Sequence, residues 1–275
     1  MKLNHIRLGT GKPILLIHGL GGSWRSWIPV FDRLSAQREV IAIDLPGHGK
    51  TPRLERSTTI PALADAVTDF IVRNELRGID VVGSSMGARL VLELARRGDG
   101  VVGSVVALDP GGFWEGWEKH FFYTTGSASI RVIKALQFAL PPLTGNRITR
   151  SVLLAQFSPR PWKISAHMAL IELRGYAACP VYTELLYNLA YGEEQEGAER
   201  GSISKPLVIG WGKQDRICFP SQALKALHLF PDAHLYWFNK SGHFPHWDKP
   251  AETAALIIRV TTEPKPSIVE ENTID

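Results

Sequence analysis

Short apolar runs alternate with longer amphipathic stretches through the first 110 residues. Pro13-Ile14-Leu15-Leu16-Ile17, Val40-Ile41-Ala42-Ile43, Ile79-Asp80-Val81-Val82 and Val101 to Leu108 have strand length, and only Asp80 and the Gly103-Ser104 pair break their apolar character. Such runs, bounded by turn formers, mark strands buried on both faces. Between them lie helical spacings: Trp24 to Leu34, Thr59 to Leu76 with Leu63, Ala66, Val67, Phe70 and Ile71 on one side, and Met86 to Arg97. Strand followed by helix, repeated, predicts an α/β fold with a mostly parallel central sheet flanked by helices on both faces.

The alternation stops at Pro110. From there to about Lys205 no buried strand is visible, and the stretch is rich in aromatic and helix-compatible segments: Phe113-Trp114-Glu115-Gly116-Trp117, Ile130 to Leu140, Thr149 to Phe157 and Tyr182 to Tyr191. The strand pattern returns at Pro206 to Trp211, followed by a helix over Ser221 to Leu229, a strand over Ala233 to Phe238 and a helix over Ala251 to Val260. The chain thus divides into a core of residues 1–110 and 206–260, a helical insertion of 111–205, and a polar, proline-bearing tail of 261–275 expected to be flexible. An insertion at the C-terminal edge of a parallel sheet lies over the crevice where such sheets bind ligands, which favours a cap over an independent subdomain.

Composition narrows the classes. At 275 residues, 44% hydrophobic and 21% charged, the chain suits a globular α/β protein. Its net charge of +4 is scattered, with Arg96-Arg97 the only adjacent basic pair, so no nucleic-acid partner is expected. Cys179 and Cys218 have no metal-ligand spacing and are too few for a disulfide framework; buried free thiols and no metal are expected. Met1 to His5 lacks the apolar core of a signal peptide, and no run approaches the length of a membrane span. The expected location is the cytoplasm, with no membrane partner; monomer and homodimer both remain open.

Candidate chemistry centres on Gly83-Ser84-Ser85-Met86-Gly87, a G-x-S-x-G pattern directly after Val81-Val82. It sets a serine hydroxyl at a strand-to-helix turn, and only Ser85 has glycines two positions away on both sides. A serine nucleophile needs a base, and histidine titrates in the right range. Of nine histidines, His243 lies in the loop after the last strand, where a side chain reaches over the sheet edge. His246 sits in a proline-containing turn and is assigned to packing, His18 to structural hydrogen bonding, and His48 to turn geometry. The acid that orients the base is either Asp215 or Asp109, both at strand ends; Asp215 is preferred. Asp44, before Pro46-Gly47-His48-Gly49, is a turn former. Oxyanion donors are the N–H of Met86, at a helix N-terminus, and that of Leu20 within Gly19-Leu20-Gly21-Gly22. That glycine cluster matches neither the dinucleotide nor the Walker fingerprint.

Taken together, His18-Gly19-Leu20-Gly21-Gly22, Asp44 to Gly49, Gly83 to Gly87, Trp211-Gly212-Lys213-Gln214-Asp215 and Ser241-Gly242-His243 resemble the motifs of the α/β-hydrolase superfamily, in order and spacing. The resemblance covers nearly the whole chain outside the insertion and tail. It implies a Ser85, Asp215, His243 triad, an oxyanion hole from Leu20 and Met86, a helical cap, and neither metal nor cofactor. Members with an aspartate nucleophile are disfavoured by Ser85. Ser85-Met86-Gly87 and Trp247 resemble the carbon–carbon bond hydrolases, whereas Ser84 and Gly21-Gly22-Ser23 depart from the asparagine and Gly-Pro-Gly turn that those enzymes carry. The expectation is a serine hydrolase acting on a small carboxylic ester through an acyl-enzyme, with Phe113, Trp114 and Trp117 lining the pocket. A carbon–carbon bond hydrolase of vinylogous diketones and a ligand receptor with little turnover are the alternatives.

Overall fold

The structure of the protein, a computed structural model, describes residues 1–262. In chain order its elements are β1 (His5–Leu8), β2 (Pro13–Ile17), α1 (Ile28–Ser35), β3 (Glu39–Ile43), α2 (Ile60–Arg73), β4 (Ile79–Ser84), α3 (Met86–Arg97) and β5 (Val102–Leu108). Five helices follow: α4 (Trp117–Ala135), α5 (Leu140–Gly145), α6 (Arg147–Leu153), α7 (Ala166–Ala178) and α8 (Tyr182–Tyr191). The chain then forms β6 (Leu207–Gly212), α9 (Gln222–Leu229), β7 (His234–Phe238), α10 (Pro245–Asp248) and α11 (Pro250–Thr262). Single 3₁₀ turns at Trp24–Trp27 and Pro161–Lys163 precede α1 and α7.

The seven strands lie in the order β1-β3-β2-β4-β5-β6-β7, all parallel except β1, which runs antiparallel to β3. Period-two alternation explains why the strands are apolar throughout. Leu15 and Ile17 of β2, Val81 of β4, and Val105 and Ala107 of β5 pack into one core with α2 and α3. Their neighbours Ile14, Leu16, Val82, Val106 and Leu108 enter a second core with α1 and α11. Each such side chain, taken out of water, contributes about 1.5–3 kcal/mol, so both faces reward an apolar residue.

The strand order reverses between β2 and β4, and in such sheets the crevice at the carboxyl ends of the strands around the reversal is the natural ligand site. Helices α4 to α8 lie between β5 and β6 in sequence and carry a core of their own, which includes Ile130, Leu140, Met168 and Leu173 and takes in Phe244 from the loop after β7 and Trp247 from α10. Four elements, β1, α5, α7 and α10, escape the sequence pattern. β1 is four residues of mixed character at the sheet edge. In α7 the buried stripe Met168, Ala169, Glu172, Leu173 and Tyr176 has a carboxylate in its middle, while Leu170 and Ile171 lie off it, so no clean period shows. The expected tail 261–275 begins two residues inside α11, and residues from 263 on lie outside those described.

Candidate active site

β4 ends at Ser84 and α3 begins at Met86, which leaves Ser85 alone to make the turn with φ +56° and ψ −117°. That backbone is rare and costly for an L-residue, on the order of 1–3 kcal/mol, and it persists only where neighbours enforce it. Ser85 N–H donates to Leu108 C=O at 2.9 Å, tying the turn to β5. The two glycines of the pattern are required by close approach. A Cβ at Gly83 would lie 2.1 Å from Gly87 O, and one at Gly87 would lie 2.2 Å from Ile17 O. Ser84 is buried and its hydroxyl has no partner, so it plays no part in the hydrogen bonding of the turn.

Ser85 Oγ lies 2.8 Å from His243 Nε2, and His243 Nδ1 lies 2.8 Å from Asp215 Oδ2. His243 and Asp215 are buried, at 2% and 3% exposure. The imidazole is placed by its loop: His243 N–H donates to Phe157 C=O at 2.9 Å and Gly242 N–H to Asp248 Oδ2 at 2.8 Å. Ser158 Oγ donates to the other oxygen of Asp248, so the segment after α6 and the histidine loop are laced together. Asp215 is fixed in turn, its Oδ1 accepting from Ile217 N–H at 2.7 Å and Cys218 N–H at 3.1 Å.

Asp109, the competing acid, is fully buried with φ +46° and does not bond the histidine. Its Oδ1 accepts from Gly212 N–H at 2.8 Å. Burial, reinforced by the charge of Asp215, pushes the Asp109 carboxyl well above the ordinary carboxylate range and favours its neutral form. Asp215, Cys218 and His243 bring one ligand atom each within 4.8 Å of one another. Asp215 and His243 are committed to the bonds just described, and burial, with the charges of Asp215 and Asp109 beside it, pushes the Cys218 thiol up. The set suits internal hydrogen bonding better than a metal.

Leu20 and Met86 line the same cavity as Ser85 and His243, and neither backbone N–H donates to a protein acceptor among the described residues. His18 holds the loop that carries Leu20. Its Nδ1 is 2.7 Å from Gly19 O and its Nε2 accepts from Leu45 N–H at 3.0 Å; burial pulls its pKa down to about 4, so the ring is neutral. His48 faces His18 at a ring distance of 4.9 Å, and His246 stacks on Trp27 at 4.5 Å, away from Ser85. Asp44 organises its turn by accepting from Trp24 N–H at 2.9 Å and Lys50 N–H at 2.9 Å.

The cavity measures about 50 Å³ and is closed mainly by aromatic side chains. Of the three aromatics expected on its wall, only Trp114 is there, its Nε1 anchored to Ile217 C=O at 2.9 Å. Phe113 is instead turned into the sheet core beside Trp211, and Trp117 is 66% exposed against Phe121 and Phe219. Glycines at 111, 112 and 116 bend this segment repeatedly, so consecutive aromatics point in unrelated directions. The wall is built from Phe122, Phe157, Tyr176, Tyr182 and Phe244, which sequence reasoning did not select. Four of these come from the inserted helices and their loops, where aromatic richness was visible but facing was not.

The model of the alpha/beta hydrolase family matches residues 14–256. The dihydrolipoyllysine-residue acetyltransferase component of the acetoin cleaving system of Cupriavidus necator is 28% identical over 270 residues, which is 94% of this chain and 66% of that relative's length. The 2-hydroxy-6-oxononadienedioate/2-hydroxy-6-oxononatrienedioate hydrolase 2 of Pseudomonas putida is 24% identical over 255 residues, covering 90% of this chain and 87% of the relative. Among solved structures, a meta-cleavage product hydrolase from Pseudomonas fluorescens IP01 superposes with a TM-score of 0.72 at 20% identity, over 96% of this chain and 95% of the other. With 243 residues matched by the family model, from 14 to 256, the chain belongs to the alpha/beta hydrolase family.

Proposed function

We propose that the protein is a serine hydrolase of small carboxylic esters. The observation that carries this reading is the continuous relay from Ser85 Oγ through the His243 ring to Asp215, two hydrogen bonds of 2.8 Å each, opening on an apolar cavity. His243 Nε2 takes the proton of Ser85 as its oxygen attacks the acyl carbon. Asp215 holds the ring in the tautomer that leaves Nε2 free to accept, and stabilises the imidazolium that forms. The N–H groups of Leu20 and Met86 receive the negative charge of the tetrahedral intermediate, an effect worth roughly 3 kcal/mol per donor in related chemistry. His243 then protonates the departing alcohol. Water, deprotonated by the same ring, releases the acid and restores Ser85.

Cavity size supports a short acyl group. One water needs roughly 10–15 Å³ of such space, so about 50 Å³ accommodates only a few heavy atoms beside Ser85. Helices α4 to α8 act as the cap in this reading and exclude water from the acyl-enzyme. The site is expected to work in the cytoplasm on a small-molecule ester, without metal or cofactor. Among the described residues no helix is long and apolar enough to cross a membrane.

A carbon–carbon bond hydrolase is the second reading, favoured by the likeness to the Pseudomonas putida hydrolase. No arginine or lysine lines the Ser85 cavity itself, so a dioate would have to reach a cation beyond its wall. Purified protein screened against p-nitrophenyl acetate and a vinylogous 1,5-diketone acid separates the two. The ester reading predicts turnover of the first in large excess over the second; the reverse preference overturns it.

A further inference from the structure

One turn after Ser85 along α3, Arg89 is 98% removed from solvent, at 2% exposure, and its guanidinium makes no ion pair among the described residues. One nitrogen, Nη2, donates to the Glu193 carbonyl, while Nε has no partner. Leaving a buried cation without a counter-ion costs several kcal/mol. Burial pulls the Arg89 pKa down to about 10, so at neutral pH the group still carries its charge. The carboxylates of Glu93, Glu193 and Glu194 lie near enough to act on it through space, and none of them pairs with it.

The guanidinium borders a cavity of about 130 Å³, larger than the one over Ser85 and separated from it by Trp114 and Leu189, which line both. Lys119 and Lys225 stand at the rim, engaged with Glu194 and Glu115 at 2.6 Å each. Gly112 packs flat against the arginine, and a Cβ there would lie 2.9 Å from Arg89 Cδ and 3.0 Å from Nε. Any side chain at 112 would close the approach to the guanidinium.

We infer that this second cavity is a binding site for a small carboxylate, held by the Arg89 guanidinium. A carboxylate accepts from a guanidinium in a forked geometry that a neutral molecule does not match. Its volume takes a two- to four-carbon acid. The anion is either the distal carboxylate of a substrate whose ester sits at Ser85, or a free acid bound next door, and both rest on the same arginine. The site stands whether or not Ser85 is the nucleophile.

Calorimetric titration of the full chain with succinate at pH 7 tests this. Saturable binding is expected, weakened tenfold or more in Arg89→Met and in Gly112→Ala, and retained in Ser85→Ala. Gly112→Ala keeps the arginine, so the result does not hang on the folding of Arg89→Met. Absence of saturable binding for acetate, malonate and succinate overturns the inference, as does wild-type affinity in Gly112→Ala with unchanged circular dichroism. Comparison of monomethyl with dimethyl succinate as substrates separates the sources. A monoester preference that Arg89→Met abolishes assigns the anion to the substrate; binding of succinate without that preference assigns it to a free acid.

Discussion

Asp109 gives its bonded oxygen to the N–H of Gly212 at 2.8 Å, and Gly212 in turn accepts from the N–H of Asp215 at 3.1 Å. The acid that ends β5 therefore braces the turn that presents the acid to His243. The two carboxylates differ in what a neutral isostere does to them. Asp215→Asn places an amide against His243 Nδ1 and favours the wrong tautomer, with an expected loss in kcat of about 10⁴. Asp109→Asn keeps an acceptor for Gly212 in place of a group already biased to its neutral form, and a loss of less than about tenfold is expected. Steady-state kinetics of the two variants checks this; equal losses would contradict the assignment.

The nucleophile turn makes opposite demands on adjacent serines and glycines. Gly87→Ala drives a methyl into the Ile17 and His18 carbonyls, where the backbone has no room, and a loss of stability beyond about 3 kcal/mol or a failure to fold is expected. Ser84→Ala removes a buried hydroxyl that has no partner. It is expected to leave activity intact and to change stability by no more than about 1 kcal/mol, in the stabilising direction. Urea unfolding of both variants reads the difference, and a destabilised Ser84→Ala would show that the hydroxyl matters.

Acid stability is set by groups that oppose one another. Burial holds His18 at about 4, His48 at about 3 and His246 at about 3, all below the unfolded value near 6.5. Each contributes stability that is present above pH 6.5 and is lost as pH falls toward the folded value, at about 1.4 kcal/mol per pH unit. Burial of Glu172 raises its carboxyl from 4.5 to about 8, so its contribution is full below pH 4.5 and is lost as pH rises toward 8. Between pH 6 and 5 the three histidines outweigh Glu172 and the buried Asp109, so stability falls as pH falls. Glu172→Gln removes its own opposing slope and steepens the decline by about 1.4 kcal/mol per unit. Urea unfolding at pH 7, 6 and 5 measures it, and a flat profile contradicts the burial of these rings.

Acyl-chain preference follows from the cavity wall. Leu186 packs against Gly126 across the pocket, and a Cβ on that glycine would come within 2.8 Å of the leucine. Leu186→Ala is expected to shift the ratio of kcat/KM for p-nitrophenyl hexanoate over acetate upward by about tenfold, in line with 1–3 kcal/mol per methylene group accommodated. An unchanged ratio would place the acyl chain elsewhere.

Much of this was legible in the sequence because the chain obeys local rules where the sheet is built. Strands buried on both faces are apolar runs, α3 begins at the residue expected, and Ser85, Asp215 and His243 each follow a strand, so their convergence was implied by a parallel sheet. Legibility ended where packing decides orientation. Phe113, Trp114 and Trp117 are alike in sequence, yet one enters the core, one the cavity and one the solvent. α7 stayed hidden because Glu172 occupies a core position. The bonds from Phe157 and Asp248 to the histidine loop join residues 86 and 6 positions apart in the chain, pairings that only the folded arrangement reveals.

The most direct measurement is the initial rate of p-nitrophenyl acetate hydrolysis by the wild-type protein and by Ser85→Ala, with circular dichroism to confirm the fold of both. A fall in kcat by a factor on the order of 10⁴ or more, with the fold retained, is the predicted result. Hydrolysis by Ser85→Ala within tenfold of the wild type would contradict the assignment of Ser85 as the nucleophile.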